Sequence, residues 1–150
     1  MTIRCIATLL LAAGCMSAPP PHPEKIFAMR CETDSLHPNA KVTLRFAISN
    51  AATFPYDICV EQLSAHLRSD DGSDVRMLGA RTTLDSDCPE PKHVPVGGEV
   101  FVELPAGIPI DSPRSAVIEG LVGISWPPGM RTTPENARFE LKATCGKPDE

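Results

Sequence analysis

The stretch Lys41-Val42-Thr43-Leu44-Arg45-Phe46-Ala47-Ile48-Ser49 decides the fold. Val42, Leu44, Phe46 and Ile48 alternate with Lys41, Thr43, Arg45 and Ser49, the period-two pattern of a strand with one face buried. The same pattern recurs in both directions. Upstream, Ile26 to Cys31 reads as a strand. Downstream, Leu63, Ala65 and Leu67 alternate with Gln62, Ser64, His66 and Arg68. Asp70-Asp71-Gly72-Ser73 then marks a turn, because Asp and Gly tolerate its dihedrals. Val75, Met77 and Leu78 resume a strand, and Val100, Val102 and Leu104 follow a turn at Gly97-Gly98. Ala116 to Ile124 is more continuously apolar and suggests a central strand. Ala137, Phe139, Leu141 and Ala143 form the last alternating run.

These runs predict an all-β fold, an antiparallel sandwich of about seven short strands with no convincing helix. Composition agrees. The chain has 150 residues, the size of one domain, and its hydrophobic share of 42% can build a core. Its 16 prolines, about twice the usual share, break helices into turns and extended segments. Lys plus Arg is 14 and Asp plus Glu 19, a net charge of -5 with no basic cluster, which argues against nucleic acid as a partner. No polybasic or amphipathic helix is available for anionic lipid.

The strand pattern resembles the bacterial immunoglobulin-like domains. An alternating strand ends in Ser49-Asn50, a Gly-marked hairpin follows, and Val96-Gly97-Gly98-Glu99-Val100 leads into another strand. The likeness covers most of residues 24–146 and implies a fold, not a function. It departs from antibody-type domains in lacking their Trp between two cysteines; Trp126 falls after the penultimate strand.

The N-terminus reads as an address. Arg4 supplies positive charge, Ile6 to Ala13 an apolar segment too short to span a bilayer, and Ala12, Ala13 and Gly14 lead to Cys15. This ending resembles the lipobox of bacterial lipoproteins, with Ala12 where Leu is commonest. The resemblance implies that residues 1–14 are a signal peptide, removed before Cys15, and that Cys15 is acylated (palmitate among its chains) and anchors the chain in a bilayer. The rival reading is an ordinary signal peptide cut near Ala18, which discards Cys15. Met16 follows the cysteine where an Asp commonly retains such proteins in the inner membrane. The implied location is therefore the cell envelope: the periplasmic face of the outer membrane of a Gram-negative cell. Residues 15–24 form the lipidated cysteine and a Pro-rich stalk, semi-rigid by its polyproline geometry. Residues 25–150 form the β-sandwich domain.

Cysteine usage fits that compartment. Six cysteines less Cys5 and Cys15 leave Cys31, Cys59, Cys88 and Cys145, an even number that reads as two disulfides in an oxidising envelope. Three pairings are open. Strand parity places Cys31 with Phe27 and Met29, and Cys145 with Phe139 and Leu141, both inward from the first and last strands. The expected pairs are Cys31–Cys145 and Cys59–Cys88. A metal site at Cys88 and His93 is the weaker reading, without a Cys-x-x-Cys or a His pair.

No catalytic motif emerges, and the expectation is a protein that is not an enzyme and needs no cofactor. Gly123-Ile124-Ser125 begins like a nucleophile elbow, but Trp126-Pro127 follows where the second Gly belongs. His22, His37, His66 and His93 are scattered. The turn at Asp70 to Asp74 offers oxygens for calcium, with a solvated hairpin as its plainer reading. The Pro-rich stretch from Thr82 to Pro95 carries Asp85, Asp87 and Glu90, an acidic cluster on a loop pinned by Cys59–Cys88. Phe54-Pro55-Tyr56 and Trp126-Pro127-Pro128-Gly129 place aromatics in loops, either as interface anchors or as caps on the core. Asp85, Asp87, Glu90, Trp126 and Tyr56 are thus the candidate partner-binding residues. The leading functional reading is an accessory or assembly module that binds an envelope protein partner. The alternatives are an inhibitor of a periplasmic hydrolase (a protease, lysozyme or toxin) and a carrier of a small ligand or metal through His93, Met77 or Met130.

Overall fold

The computed structural model describes residues 18–33, 41–69, 71, 74–82, 88, 90–108 and 117–146. Cys15 and the signal segment, His37, Asp70, Gly72, Ser73, Asp85 and Asp87 lie outside them. The described residues form eight strands: β1 (Phe27–Cys31), β2 (Lys41–Asn50), β3 (Tyr56–Arg68), β4 (Asp74–Thr82), β5 (Lys92–Val94), β6 (Glu99–Gly107), β7 (Val117–Ser125) and β8 (Arg138–Cys145). The only helical element among them is a 3-10 turn over Pro23–Lys25. No described helix is long and apolar enough to cross a membrane.

Every strand pairing is antiparallel. One sheet has the order β1-β2-β6 and the other β4-β3-β7-β8, with β5 also beside β3. β3 has room for two partners on one edge: Tyr56 to Ile58 face β5, and Gln62 to Arg68 face β4. β7 lies between β3 and β8, an inner position that matches its continuous apolar sequence.

The alternation seen in the sequence sorts side chains between core and solvent. Leu44, Phe46 and Ile48 of β2 and Val102, Leu104 and Ala106 of β6 are buried from one sheet. Ile118, Val122 and Ile124 of β7 and Phe139, Leu141 and Ala143 of β8 are buried from the other, and all belong to one cluster. Burying each large aliphatic or aromatic side chain contributes roughly 1.5–3 kcal/mol. The sheets meet closely at Gly120, where an added Cβ would fall on the Phe46 ring from the opposite sheet.

Two disulfides brace the core. Cys31 at the end of β1 joins Cys145 at the end of β8, with Cα atoms 5.2 Å apart, and so ties the two sheets together. Cys59 of β3 joins Cys88, with Cα atoms 5.7 Å apart. Both pairs are those expected from the sequence, where strand parity joins Cys31 to Cys145 and leaves Cys59 with Cys88.

The structure also departs from the sequence reading. β5 lies within the Pro-rich stretch that periodicity left unassigned. β3 begins at Tyr56, seven residues before the alternation at Leu63. The cause is a bulge between Val60 and Gln62 that inserts Glu61 and shifts the register. Ile58 is buried before it, and Leu63, Ala65 and Leu67 after it, so the buried positions change parity. Tyr56 is therefore a strand residue and not part of a loop.

Candidate interaction site

At the end of the molecule where β2 finishes and β3, β6 and β8 begin, a single buried side chain joins three segments. Asn50, 1% exposed, closes β2. Its side-chain Nδ2 donates to the carbonyl of Phe54 at 2.8 Å and to that of Val94 at 3.2 Å. Its Oδ1 accepts from the Ala52 N–H at 2.8 Å. Its backbone N–H donates to Gly98 O, and its carbonyl accepts from Gly97 N–H. Asn50 thus fixes both the 51–55 connection and the Pro95-Val96-Gly97-Gly98 turn. That turn closes with Gly98 N–H donating to Pro95 O, and Gly97 takes the positive φ of 65° that its third position favours. The N-terminal chain arrives at the same place, since Ala51 N–H donates to Ile26 O at 2.8 Å.

Two apolar side chains project from this frame. Phe54 is 63% exposed and Val96 52%. The antiparallel register of β3 and β5 ends at Tyr56 opposite Val94. Phe54 and Val96 each stand two residues beyond that pair, on the two strands' continuations.

Beneath them lies an aromatic cluster. Phe27, Tyr56, Trp126 and Phe139 pack with ring centroids 5.5–6.1 Å apart. Tyr56 and Trp126 are 8% and 7% exposed, so both rings lie within the core. The Trp126 indole N–H donates to Asn136 O at 2.7 Å, and Asn136 Oδ1 accepts from Thr133 N–H, which holds the loop before β8. Of the aromatics in these two loop motifs, Phe54 alone is exposed. Glu90 is exposed, but the rest of its acidic cluster lies outside the described residues.

The other exposed face is occupied by its own charges. On the outer face of the three-stranded sheet, Arg30 pairs with Glu99 and Glu32. Arg45 lies near Glu32 and Glu103, with its guanidinium 3.9 Å from the Phe101 ring centre. The hydrogen bond from Arg30 holds the Glu99 carboxyl below its ordinary range. On the five-stranded sheet Arg68 pairs with Glu119, Arg138 with Glu61, and His93 with Asp57 at 2.8 Å. Met77 is exposed and Met130 packs against the core. Among the described residues no cluster of His, Cys, Asp and Glu is arranged to hold a metal ion.

No protein-family profile matches the chain, and no curated protein sequence does. Several solved structures are similar in chain path. A structural-genomics target designated SoR45 aligns at 9% identity and a TM-score of 0.44, over 77% of this chain and 80% of that one. The sporulation control protein Spo0M from Bacillus subtilis aligns at 10% identity and 0.42, over 81% of this chain and 49% of that one, so this chain spans about half of Spo0M's length. The seventh PapD-like (ASH) domain of human CEP192 aligns at 13% identity and 0.34, over 96% and 97%.

The Asn50 clamp and the exposure of Val96 were outside the sequence reading. Asn50 carried a signal, as an amide closing an apolar strand before a Pro-containing connection. Two of its partners, Ala52 and Phe54, are local, but Val94 lies 44 residues away and no local pattern points to it.

Proposed function

We propose that this protein is an envelope lipoprotein: an immunoglobulin-like β-sandwich, tethered by acylated Cys15 through a Pro-rich stalk, that works as a non-enzymatic binding module for an envelope protein partner. The observation that carries this reading is the pair of disulfides, Cys31–Cys145 and Cys59–Cys88. Such bonds persist in oxidising compartments, and the apolar segment before Cys15 supplies a route to one. The sandwich reading is supported by two antiparallel sheets that share one core. Pro19 and Pro23 are buried against the domain, so the spacer we propose from Cys15 is shorter than the Pro-rich run itself. Met16 favours the outer membrane. A rigid domain on a short tether presents its faces within a fixed distance of the bilayer, which suits an assembly component.

The first test is metabolic labelling with a clickable palmitate. The wild-type chain is expected to carry the label and fractionate with the envelope, and Cys15→Ser to lose the label and appear in the soluble periplasmic fraction. An unlabelled wild-type chain overturns the anchor. Crosslinking in cells, followed by purification from detergent, tests the partner. Recurring membrane or secretion components are expected, whereas a single hydrolase in near-equal amount would replace the assembly role with inhibition.

A further inference from the structure

We propose that the end of the domain built on Asn50 faces the bilayer, with Phe54 and Val96 seated in the lipid interface; the inference rests on the anchor at Cys15. Three observations converge on lipid as the occupant. The first is where the tether enters. Ile26, directly after the Pro23–Lys25 turn, accepts a hydrogen bond from Ala51, so the stalk reaches the domain beside the Phe54 segment. Cys15 lies eight residues before Pro23, a reach of at most about 28 Å even when fully extended. β3 has thirteen residues and runs about 43 Å. The acyl chains therefore cannot reach the opposite end of β3.

The second is chemistry. Ala51-Ala52-Thr53-Phe54-Pro55 and Pro95-Val96-Gly97-Gly98 contain no ionisable residue. The nearest charges in sequence are paired with each other or with the adjoining sheet: Asp57 with His93, and Glu99 with Arg30. Phe54 and Val96 themselves carry no charge into an apolar layer, and the exposed Glu24 and Lys25 of the adjoining turn would lie among the headgroups.

The third is the backbone. Polar groups next to lipid need internal partners, because no water replaces them there. Part of the frame meets this need: the carbonyls of Phe54, Val94 and Pro95 and the N–H groups of Ala51, Ala52, Gly97 and Gly98 are bonded within the protein, and the other backbone groups of Thr53, Phe54 and Val96 are left to the hydrated headgroup layer. Pro55 and Pro95 have no N–H to satisfy. Two apolar side chains alone would hold a soluble domain weakly. Once the lipid anchor makes the contact intramolecular, the high effective concentration makes it sufficient. The consequence is orientation: the opposite end and the sheet faces are left to the protein partner.

The test uses the mature lipidated chain purified from envelope and reconstituted into vesicles of phosphatidylethanolamine and phosphatidylglycerol with brominated acyl chains. Trp126, buried in the core, provides the baseline emission. Phe54→Trp and Val96→Trp each add a reporter at the tip, and Thr144→Trp adds one on the exposed face near the far end of β8. The expected result is a blue shift and bromine quenching at positions 54 and 96, with emission at 144 unchanged. If the protein floats with the vesicles but the two tip reporters are not quenched, the orientation is overturned and the anchor stands. A blue shift without quenching assigns the tip to a protein or a second copy, and also overturns it. A chain that does not float removes both the anchor and this inference.

Discussion

Asn50 is one of three polar residues found buried among the described residues, with Ser64 and Asn136. Both asparagines fasten loops, which gives a physical reason for their burial. A buried amide with all its partners is stable, and the same site with a partner removed leaves orphaned groups costing about 1–3 kcal/mol each. Asn50→Ala would strip Nδ2 from the carbonyls of Phe54 and Val94 and Oδ1 from the Ala52 N–H. We expect it to destabilise the protein by about 3 kcal/mol, read as a lower urea midpoint at unchanged slope. Asn50→Asp keeps the acceptor for Ala52 but sets a carboxylate against two carbonyl oxygens, and should be at least as damaging at neutral pH. If Asn50→Ala unfolds at the wild-type midpoint, water has taken over these bonds and the two connections are not held by the amide.

At the scale of the elements, β2 and β7 approach closely where Gly120 faces the Phe46 ring. An alanine at Gly120 would place its methyl on the Phe46 ring, a rigid group deep in the core and not a flexible side-chain end. Gly120→Ala should therefore cost about 1–3 kcal/mol, although alanine normally suits a strand better than glycine. Combining it with Phe46→Leu should cost less than the two single changes summed, as expected of side chains that compete for one volume. Strict additivity in chemical denaturation would show that the sheets adjust elsewhere. This cross-sheet pairing was not legible in the sequence, because alternation tells which residues face inward but not which ones meet. Alternation, with one continuous apolar run for β7, did place the seven longer strands, and the parity of Cys31 and Cys145 pointed to their pairing and so left Cys59 with Cys88. It failed where its assumption fails. Glu61 breaks the period within β3, and Lys92–Val94 is too short to show one. The candidate site was legible in part for the same reason. Phe54, Tyr56 and Trp126 stood out as aromatics near turns, but their burial depends on which strands converge at that end, and only tertiary structure sets that.

Across the whole molecule, the two disulfides close loops of very different size, and this gives them different weights. Cys31–Cys145 spans 114 residues and Cys59–Cys88 spans 29. If a crosslink acts by restricting the unfolded chain, the larger loop contributes about 4.8 kcal/mol and the smaller about 3.6. Native packing sharpens the contrast. Cys145 is buried at the end of β8 and its bridge joins the two sheets, whereas Cys88 is half-buried and outside the core cluster. The paired replacement Cys31→Ala with Cys145→Ala should thus lower stability by about 1 kcal/mol more than Cys59→Ala with Cys88→Ala, measured by urea unfolding of the oxidised proteins. The reverse order would show that the smaller bridge acts on the native state, by holding β5 against Tyr56 to Ile58 and, through the Val94 carbonyl, the Asn50 frame. In that case the stability of the tip and its orientation toward lipid would both depend on Cys59–Cys88, and reducing that bond alone would release Phe54 and Val96 from their common support.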